Sequence, residues 1–577
     1  MEAQSFGLRN QLIPLAVPTE LRGLLYMPVM RGSRYFARAM HAYNVSHVFL
    51  VPTILTNALA EMEELNITRV TTHGEKAAAY MADGYARASH RPGICMAQTI
   101  GAANLAAGLR DPYHACSPVI AITGGRKPES KYKHVYQEID DFRLFDPLTK
   151  FNAQIDSVRR LPDLLRQAFR SATTGCPGPV HLEIAGHFGQ TVEEQQEDLD
   201  LLFEPTFSCY PAVRPVANPD QLQVAARMLN RAERPVIIAG GGVAASMAQA
   251  EVIELAEMLG IPVATSLNGK GTIAETHRLS LGVVGSYPRK CANTIVSEAD
   301  LVFYIGSRTG SQVTDSWRVP PKGMPVMQLD IAAEELGRHY PNVASLCGDA
   351  RITLRQLIEQ LEPREPNQSW IDHAAEVVRS WQSEVDSNRK SESMPMRPER
   401  ICREVQASLP VDAILVSDTG HASFWTGAHT DMQQGQCYMR ACGSLGWALP
   451  AALGAKCAQP RRPVVCFTGD GGFYYHLAEL ETAARYGINA VIVVNNNHSL
   501  NQEKEIFREA YGGRQNSGLE MWQFKELNLA EVARALGCYA ERVAGPGEIR
   551  PTLERAMACG GPAVVDIPSD IEALAPV

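Results

Sequence analysis

The stretch GDGGFYYHLAELETAARYGINAVIVVNNN, Gly469 to Asn497, opens on a carboxylate among glycines and closes on three consecutive asparagines. PVVCFT just before it and NAVIVV near its end are short apolar, β-branched runs, the pattern of buried strands. Between them Phe473, Leu477, Leu480 and Ala484 recur at helical spacing, and Gly487 stands where a helix-ending glycine belongs. The spacing therefore predicts strand, helix, strand. A crossover of that length joins parallel strands, so Asp470 and the asparagines emerge together at the carboxyl ends of neighbouring strands, where open α/β sheets bind ligands. A hard carboxylate, an amide oxygen and a backbone carbonyl just beyond suit an octahedral magnesium ion that keeps positions free for phosphate oxygens. Gly469, Gly471 and Gly472 let the backbone approach that phosphate closely. A lone GDG is more simply read as a surface turn; the joint spacing of both ends is what points to metal and phosphate.

A chain of 577 residues is too long for one ordinary core and suggests about three domains. The net charge of −9 is spread without basic clusters, which argues against nucleic acid as a principal partner and leaves small molecules. No apolar run reaches transmembrane length, and MEAQSFGLRNQLIPLAVPTELRG at the amino terminus lacks the basic start, apolar run and small-residue cleavage site of a secretory signal, so a cytoplasmic location away from the membrane is expected. The 13 cysteines are scattered without a CxxC pair, indicating neither a disulfide framework nor a zinc site.

Three phrases echo one another: SPVIAITGG (117–125), RPVIIAGGG (234–242) and RPVVCFTGDGG (462–472), each an apolar strand running into glycines. GPVHLEI from Gly178 and GPAVVDI from Gly561 read as the last strands of the first and third units. The expected fold is α/β, with three domains of largely parallel sheets flanked by helices. The polar stretches QTVEEQQEDLD (190–200) and RKSESMPMRPER (389–400) read as linkers, placing an amino-terminal extension at 1–30 and domains at 31–204, 205–389 and 390–577. In the middle unit Gly240 to Gly242 follow a strand and Asp330 ends VMQLD, a position suited to a ribose hydroxyl, although three glycines alone are a weak nucleotide signal.

HGEKAAAYMADGYARAS, His73 to Ser89, is alanine-rich and predicted helical from about Glu75. An acidic residue in a first helical turn ordinarily complements the helix dipole and no more. This segment, however, resembles the HExxAAxxAxGYAR element of thiamine diphosphate-dependent enzymes, and GDG followed by paired asparagines resembles that family's cofactor signature. The resemblance implies that the first, second and third domains are pyrimidine-binding, central and diphosphate-binding. It implies Asp470, Asn497 and the carbonyl of Ser499 as ligands of Mg2+, with Asn496 one slip away, and Glu75 as the acid that bonds the aminopyrimidine ring. A carboxylic acid there shares a proton with the ring nitrogen and favours the tautomer that can take the thiazolium C2 proton.

The likeness runs from about Arg31 to Pro568 and is nearest to the acetohydroxyacid (acetolactate) synthase-like branch. QTIGAANLAAGL (98–109) matches a glycine-rich loop beside the pyrimidine, and YQEID (136–140) an FQE element, so Gln98, Tyr136 and Gln137 are implied to line the pocket. GSLGWALPAALGAK (443–456) matches the segment before GDG, with Gly443 in contact with the cofactor and Leu445 on the apolar residue wedged between its two rings. SDTGHAS (417–423) matches a diphosphate-contacting turn, making Gly420 and His421 candidates. The family builds each site from two subunits, which implies at least a homodimer, and homotetramers are common in the branch.

Several positions depart from the synthases. An early active-site loop reads VPTIL, with Thr53 and Ile54 in place of small glycines, and GSRTGSQVT keeps Arg308 but has Gln312 at a second arginine. A channel tryptophan aligns with Ile506. These departures count against FAD and against the usual acceptor, so FAD or ADP in the central domain is expected to be absent or partial. The function implied is a thiamine diphosphate- and Mg2+-dependent carboligase or decarboxylase acting on a 2-oxo acid, acetolactate synthase-like. The alternatives are a simple 2-oxo acid decarboxylase or 2-hydroxyacyl-CoA lyase, and a non-catalytic thiamine diphosphate-binding protein.

Overall fold

The computed structural model describes residues 28–362, 364–514 and 518–575, so most of the expected extension at 1–30 lies outside the described residues. Three sheets of six strands carry the fold, and every strand pair within them is parallel. The first spans His47–Leu50 to Val180–Ala185, the second Pro235–Ala239 to Asn342–Cys347, and the third Ile414–Ser417 to Ala563–Pro568. Numbered in chain order within each sheet, the strands of the first and third run 2-1-3-4-6-5 in space, whereas those of the central sheet run 3-2-1-4-5-6. The first and third units therefore share one topology. The central order is that of a dinucleotide-binding fold, with its strand-order reversal between Pro235–Ala239 and Leu301–Ile305.

Val464–Gly469 and Val491–Asn496 are neighbours in the third sheet, buried on both faces as their β-branched sequences require. The crossover between them is two helices, Asp470–His476 and Glu479–Tyr486, where the periodicity suggests one. Leu480 and Glu481 bond back to Leu477 and Ala478 in a tighter i to i+3 step, which breaks the helix while keeping Phe473 and Leu480 in the core. Gly487 closes the second helix at φ +63°.

The first and third units share one core. Helix Glu75–Ser89 lies across helix Ala448–Ala458 so closely that a Cβ on Gly84 would stand 2.0 Å from the Ala451 carbonyl oxygen, and one on Gly454 1.9 Å from that of Met81. Only glycine permits that backbone contact. The stretch expected to be a linker after Gln190 is instead built into the first unit. Val192 and Glu193 are buried, the Glu193 carboxylate accepts the Ala58 N–H at 2.7 Å, and Gln196–Asp198 pairs with Val29–Arg31. No helix among the described residues is long and apolar enough to cross a membrane.

Candidate active site

In the third unit the strand order reverses between Ile414–Ser417 and Val464–Gly469, and the turns that follow those strands carry the predicted diphosphate residues. Asp418, fully buried, ties them together. Its carboxylate accepts the Thr419 N–H at 2.8 Å, the Gly446 N–H at 3.1 Å and the Thr468 hydroxyl at 3.0 Å. Burial raises its pKa to about 6. Sequence reading quoted this residue without assigning it a role. Gly472 packs against the same carboxylate, and a Cβ there would meet Asp418 Oδ2 at 2.6 Å.

Gly420 takes φ +67° and begins helix His421–His429. His421 is half-buried, its enclosed Nδ1 has no partner among the described residues, and burial lowers its pKa to about 4, so it is neutral. Asp470 is 1% exposed and neither carboxylate oxygen has a hydrogen-bond partner among the described residues. Burial raises its pKa to about 7. An unpaired buried carboxylate is costly, and a cation beside it removes that cost.

Asn497 follows two residues after Asn495, which stands opposite Gly469, and its Oδ1 accepts the Ser499 hydroxyl at 2.8 Å. The bridge behind Ser499 uses its neighbours, Leu500 N–H to Trp522 O at 2.7 Å and Phe524 N–H to His498 O at 2.6 Å, so the Ser499 carbonyl takes no part in it. Asn496 is spent elsewhere: its amide donates to Asp566 at 2.8 Å and accepts from the His498 N–H. The donor set Asp470, Asn497 and the Ser499 carbonyl thus fits a hard divalent cation, whereas the Asn496 amide is already bonded to Asp566 and the His498 N–H.

In the first unit Glu75 starts its helix, half-buried, with Oε2 accepting from Asn104 Nδ2 at 3.2 Å. A Cβ on Gly101 would lie 2.4 Å from Glu75 Oε1, so glycine there makes room for the carboxyl. Gln98 begins the same glycine-rich turn. Tyr136 is 80% exposed, and Gln137, half-buried, sits in a left-handed turn at φ 62°. Leu445 is half-buried next to Gly443 at φ +139°. Among the described residues no hydrogen bond or ion pair joins Glu75, Gln98 or Gln137 to Asp470, Asn497 or Ser499.

Comparison with known families divides the chain along the same three sheets. Residues 30–144 match the thiamine pyrophosphate enzyme N-terminal TPP binding domain, 222–357 the central domain, and 418–567 the C-terminal TPP binding domain. The chain belongs to the thiamine pyrophosphate enzyme family. Thiamine pyrophosphate and thiamine diphosphate are the same molecule. Within the family it falls in the acetolactate synthase-like branch. It is 33% identical to the probable acetolactate synthase large subunit of Methanocaldococcus jannaschii, covering 94% of this chain and 92% of that one. The probable acetolactate synthase large subunit of Methanococcus aeolicus is 32% identical with the same coverage. The Escherichia coli acetolactate synthase isozyme 1 large subunit is 27% identical over 94% of each chain.

A cavity of about 260 Å³ opens at the central strand-order reversal. Gly241, Gly242, Arg308, Gln312 and Asp330 line it, and the first unit closes one side with Cys116 and Cys176. Asp330 gives one oxygen to the Ala332 N–H at 2.9 Å. Gln312 does not stand alone: its Oε1 accepts from Arg440 Nη2, a residue of the third unit, at 2.8 Å, and Arg440 also lines the cavity.

Proposed function

We propose that this protein is a thiamine diphosphate- and Mg2+-dependent enzyme that makes or breaks a carbon–carbon bond beside a carbonyl, starting from a 2-oxo acid in the manner of the acetolactate synthases. The observation that carries this reading is Asp470, a buried carboxylate whose two oxygens have no partner among the described residues, in a glycine turn at a strand-order reversal and on the strand neighbouring the one that leads to Asn497. When bound, the cofactor supplies an acidic carbon that serves as nucleophile and then as electron sink.

The chain's residues divide the remaining work. Asp470, Asn497 and the Ser499 carbonyl hold the metal. Gly469, Gly471 and Gly472 admit the phosphate oxygens, with Gly420 and the neutral His421 on the opposite turn. Leu445 would sit between the cofactor's two rings, and Gly443 would contact the cofactor. Glu75, held by Asn104, gives and takes a proton at Oε1. Gln98, Tyr136 and Gln137 line the pocket, and the exposure of Tyr136 in the single chain supports a site completed by a second subunit, in a homodimer at minimum and a homotetramer as in the branch at large. The central cavity, with Asp330 toward a ribose and the backbones of Gly242 and Gly306 in close contact, holds FAD or ADP if it holds a nucleotide.

Gln312 in place of an arginine and Thr53 and Ile54 in the early loop favour a second reading, a plain 2-oxo acid decarboxylase or 2-hydroxyacyl-CoA lyase with a different acceptor. An intact Glu75 beside an intact metal set argues against a non-catalytic binding protein. Incubation with pyruvate separates the readings: acetolactate or acetoin identifies carboligation and acetaldehyde identifies protonation. No turnover of any 2-oxo acid in a panel with aldehyde and ketone acceptors would overturn the proposal.

A further inference from the structure

The turn Cys442–Gly446 carries Gly443 and Leu445, and two buried carboxylates from different parts of the chain grip it. At its far end the Gly446 N–H donates to Asp418 at 3.1 Å. At its near end the Cys442 N–H donates to Asp111 at 3.0 and 2.9 Å and the Ser444 N–H to Asp111 Oδ2 at 3.1 Å. Gly443, between those two N–H groups, takes φ +139°, so the backbone curls around the Asp111 carboxylate as around a bound anion. Asp111 belongs to the first unit, and its side chain has no solvent exposure.

Arg87 fixes that carboxylate. Its guanidinium donates to Asp111 at 3.0 Å, to both oxygens of Asp83 at 2.8 and 2.6 Å, and to the Arg440 carbonyl at 2.8 Å, just ahead of the turn. It lies over the Trp447 ring, 4.5 Å from its centroid, while Trp447 Nε1 donates to Asp83 at 2.9 Å. The Arg440 carbonyl, the Cys442 and Ser444 N–H groups and the Trp447 indole N–H are all met by Arg87, Asp111 and Asp83 of the first unit. Charge-assisted bonds of this kind are short, directional and costly to break on one side only. Ordinary packing of two helices would need none of them.

We propose that Asp111, oriented by Arg87, is a positioning residue of the active site: it sets the height and tilt of Leu445, and so the bend imposed on the cofactor, from the first unit of the same chain. This rests on the functional reading above, in which Leu445 supports the cofactor between its rings. Leu445 has no side-chain anchor of its own beyond packing, so its placement is inherited from the backbone that Asp111 and Asp418 hold.

Asp111→Asn tests it, because an amide turns an N–H donor toward one of the two backbone N–H groups it must accept. In the cofactor-free protein, backbone hydrogen exchange of residues 440–447 should rise at least about tenfold, a local opening rather than a global one. With thiamine diphosphate and Mg2+, the dissociation constant should change less than about fivefold, whereas exchange of the cofactor's C2 proton at saturation should slow at least about tenfold, as misplacement does. Glu193→Gln, the same change at a buried carboxylate remote from this turn, should leave both exchanges at the wild-type rate. If Asp111→Asn does not fold, Arg87→Lys serves, keeping charge while losing the fork, with the same expected pattern. Wild-type rates in the folded variant, equal losses in Glu193→Gln, or failure of both variants to fold would overturn the proposal. A wild-type protein that binds no thiamine diphosphate with Mg2+ would overturn the functional reading instead, and the exchange of residues 440–447 would still decide whether Asp111 holds the turn.

Discussion

Gly469 stands directly opposite Asn495 across the parallel pair Val464–Gly469 and Val491–Asn496. Asp470 follows Gly469 directly and Asn497 lies two residues beyond Asn495, so both come just past the carboxyl ends of neighbouring strands. Replacing Asp470 with Ala should remove the charged ligand and leave the diphosphate poorly neutralised. Titration calorimetry at fixed Mg2+ should show cofactor affinity lost by at least about a hundredfold, the scale of a removed charged contact. Wild-type affinity in the variant would show that the metal sits elsewhere.

The same residue gives a prediction of opposite sign. In the cofactor-free protein Asp470 is a buried carboxylate with no hydrogen-bond partner among the described residues, and burial raises its pKa to about 7. Asp470→Asn removes the charge and keeps the shape, so the cofactor-free variant should be more stable at pH 8, by about 1 kcal/mol, than the wild type. Chemical denaturation of both proteins without cofactor measures this. A variant less stable at that pH would mean the carboxylate is partnered in solution.

The central cavity should hold flavin at well below one per chain. Gln312 stands at the second arginine's position, and its amide oxygen is already bonded to Arg440 of the third unit. Purified protein is expected to be colourless or faintly yellow, and activity should not depend on added FAD. A full equivalent of flavin in the visible spectrum, lost together with activity on stripping, would contradict this.

His181 is fully buried, stacked on Phe145 at 3.5 Å, with Nδ1 bonded to Asn152 and Nε2 to the Thr123 hydroxyl. Burial lowers its pKa to about 3, against roughly 6.5 in an unfolded chain. Its contribution to stability is therefore complete above about pH 6.5 and is lost as the pH falls toward 3, because the unfolded chain takes up the proton first. Asp418 and Asp470, with raised pKa values of about 6 and about 7, act in the opposite direction over part of that range. A comparison of variants isolates the histidine: between pH 7 and 4 the wild type should lose a few kcal/mol more unfolding free energy than His181→Gln. Parallel curves for the two proteins would refute a neutral buried His181.

How far the site was legible in the sequence follows from chain distance. Asp470, Asn497 and their glycines declare themselves because one strand–helix–strand unit holds both ends, and local periodicity is enough to bring them together. Asp418 is different. Its meaning lies in bonds to Gly446 and Thr468, 28 and 50 residues away, and no local pattern marks it beyond its place after a strand. Asp111 is further still, 331 residues from Cys442, in a short helix, Arg110–Ala115, that carries no motif. Polar composition made residues 190–200 read as a linker, yet Glu193 is polar because it caps Asn57 and Ala58 from a buried position. The parallel sheets were readable from apolar strands ending in glycines. The central strand order, which opens the nucleotide-type cavity, was not, since pairing order has no local signature.

Glu75 is proposed to move a proton rather than to anchor the cofactor. It makes one contact with a pyrimidine ring, whereas metal and diphosphate supply most of the binding, so its loss should fall on chemistry more than on affinity. Asn104 donates to Oε2 and Gly101 leaves space at Oε1, which places a single carboxyl oxygen free to share a proton. Glu75→Gln keeps the size and the bond to Asn104 while removing the exchangeable acid. Cofactor affinity measured by calorimetry should weaken less than about tenfold, while exchange of the C2 proton followed by deuterium labelling should slow by at least about a hundredfold, the scale of general acid–base assistance. A variant that exchanges at the wild-type rate would leave Glu75 as a carboxylate at a helix start, complementing the helix dipole and nothing more.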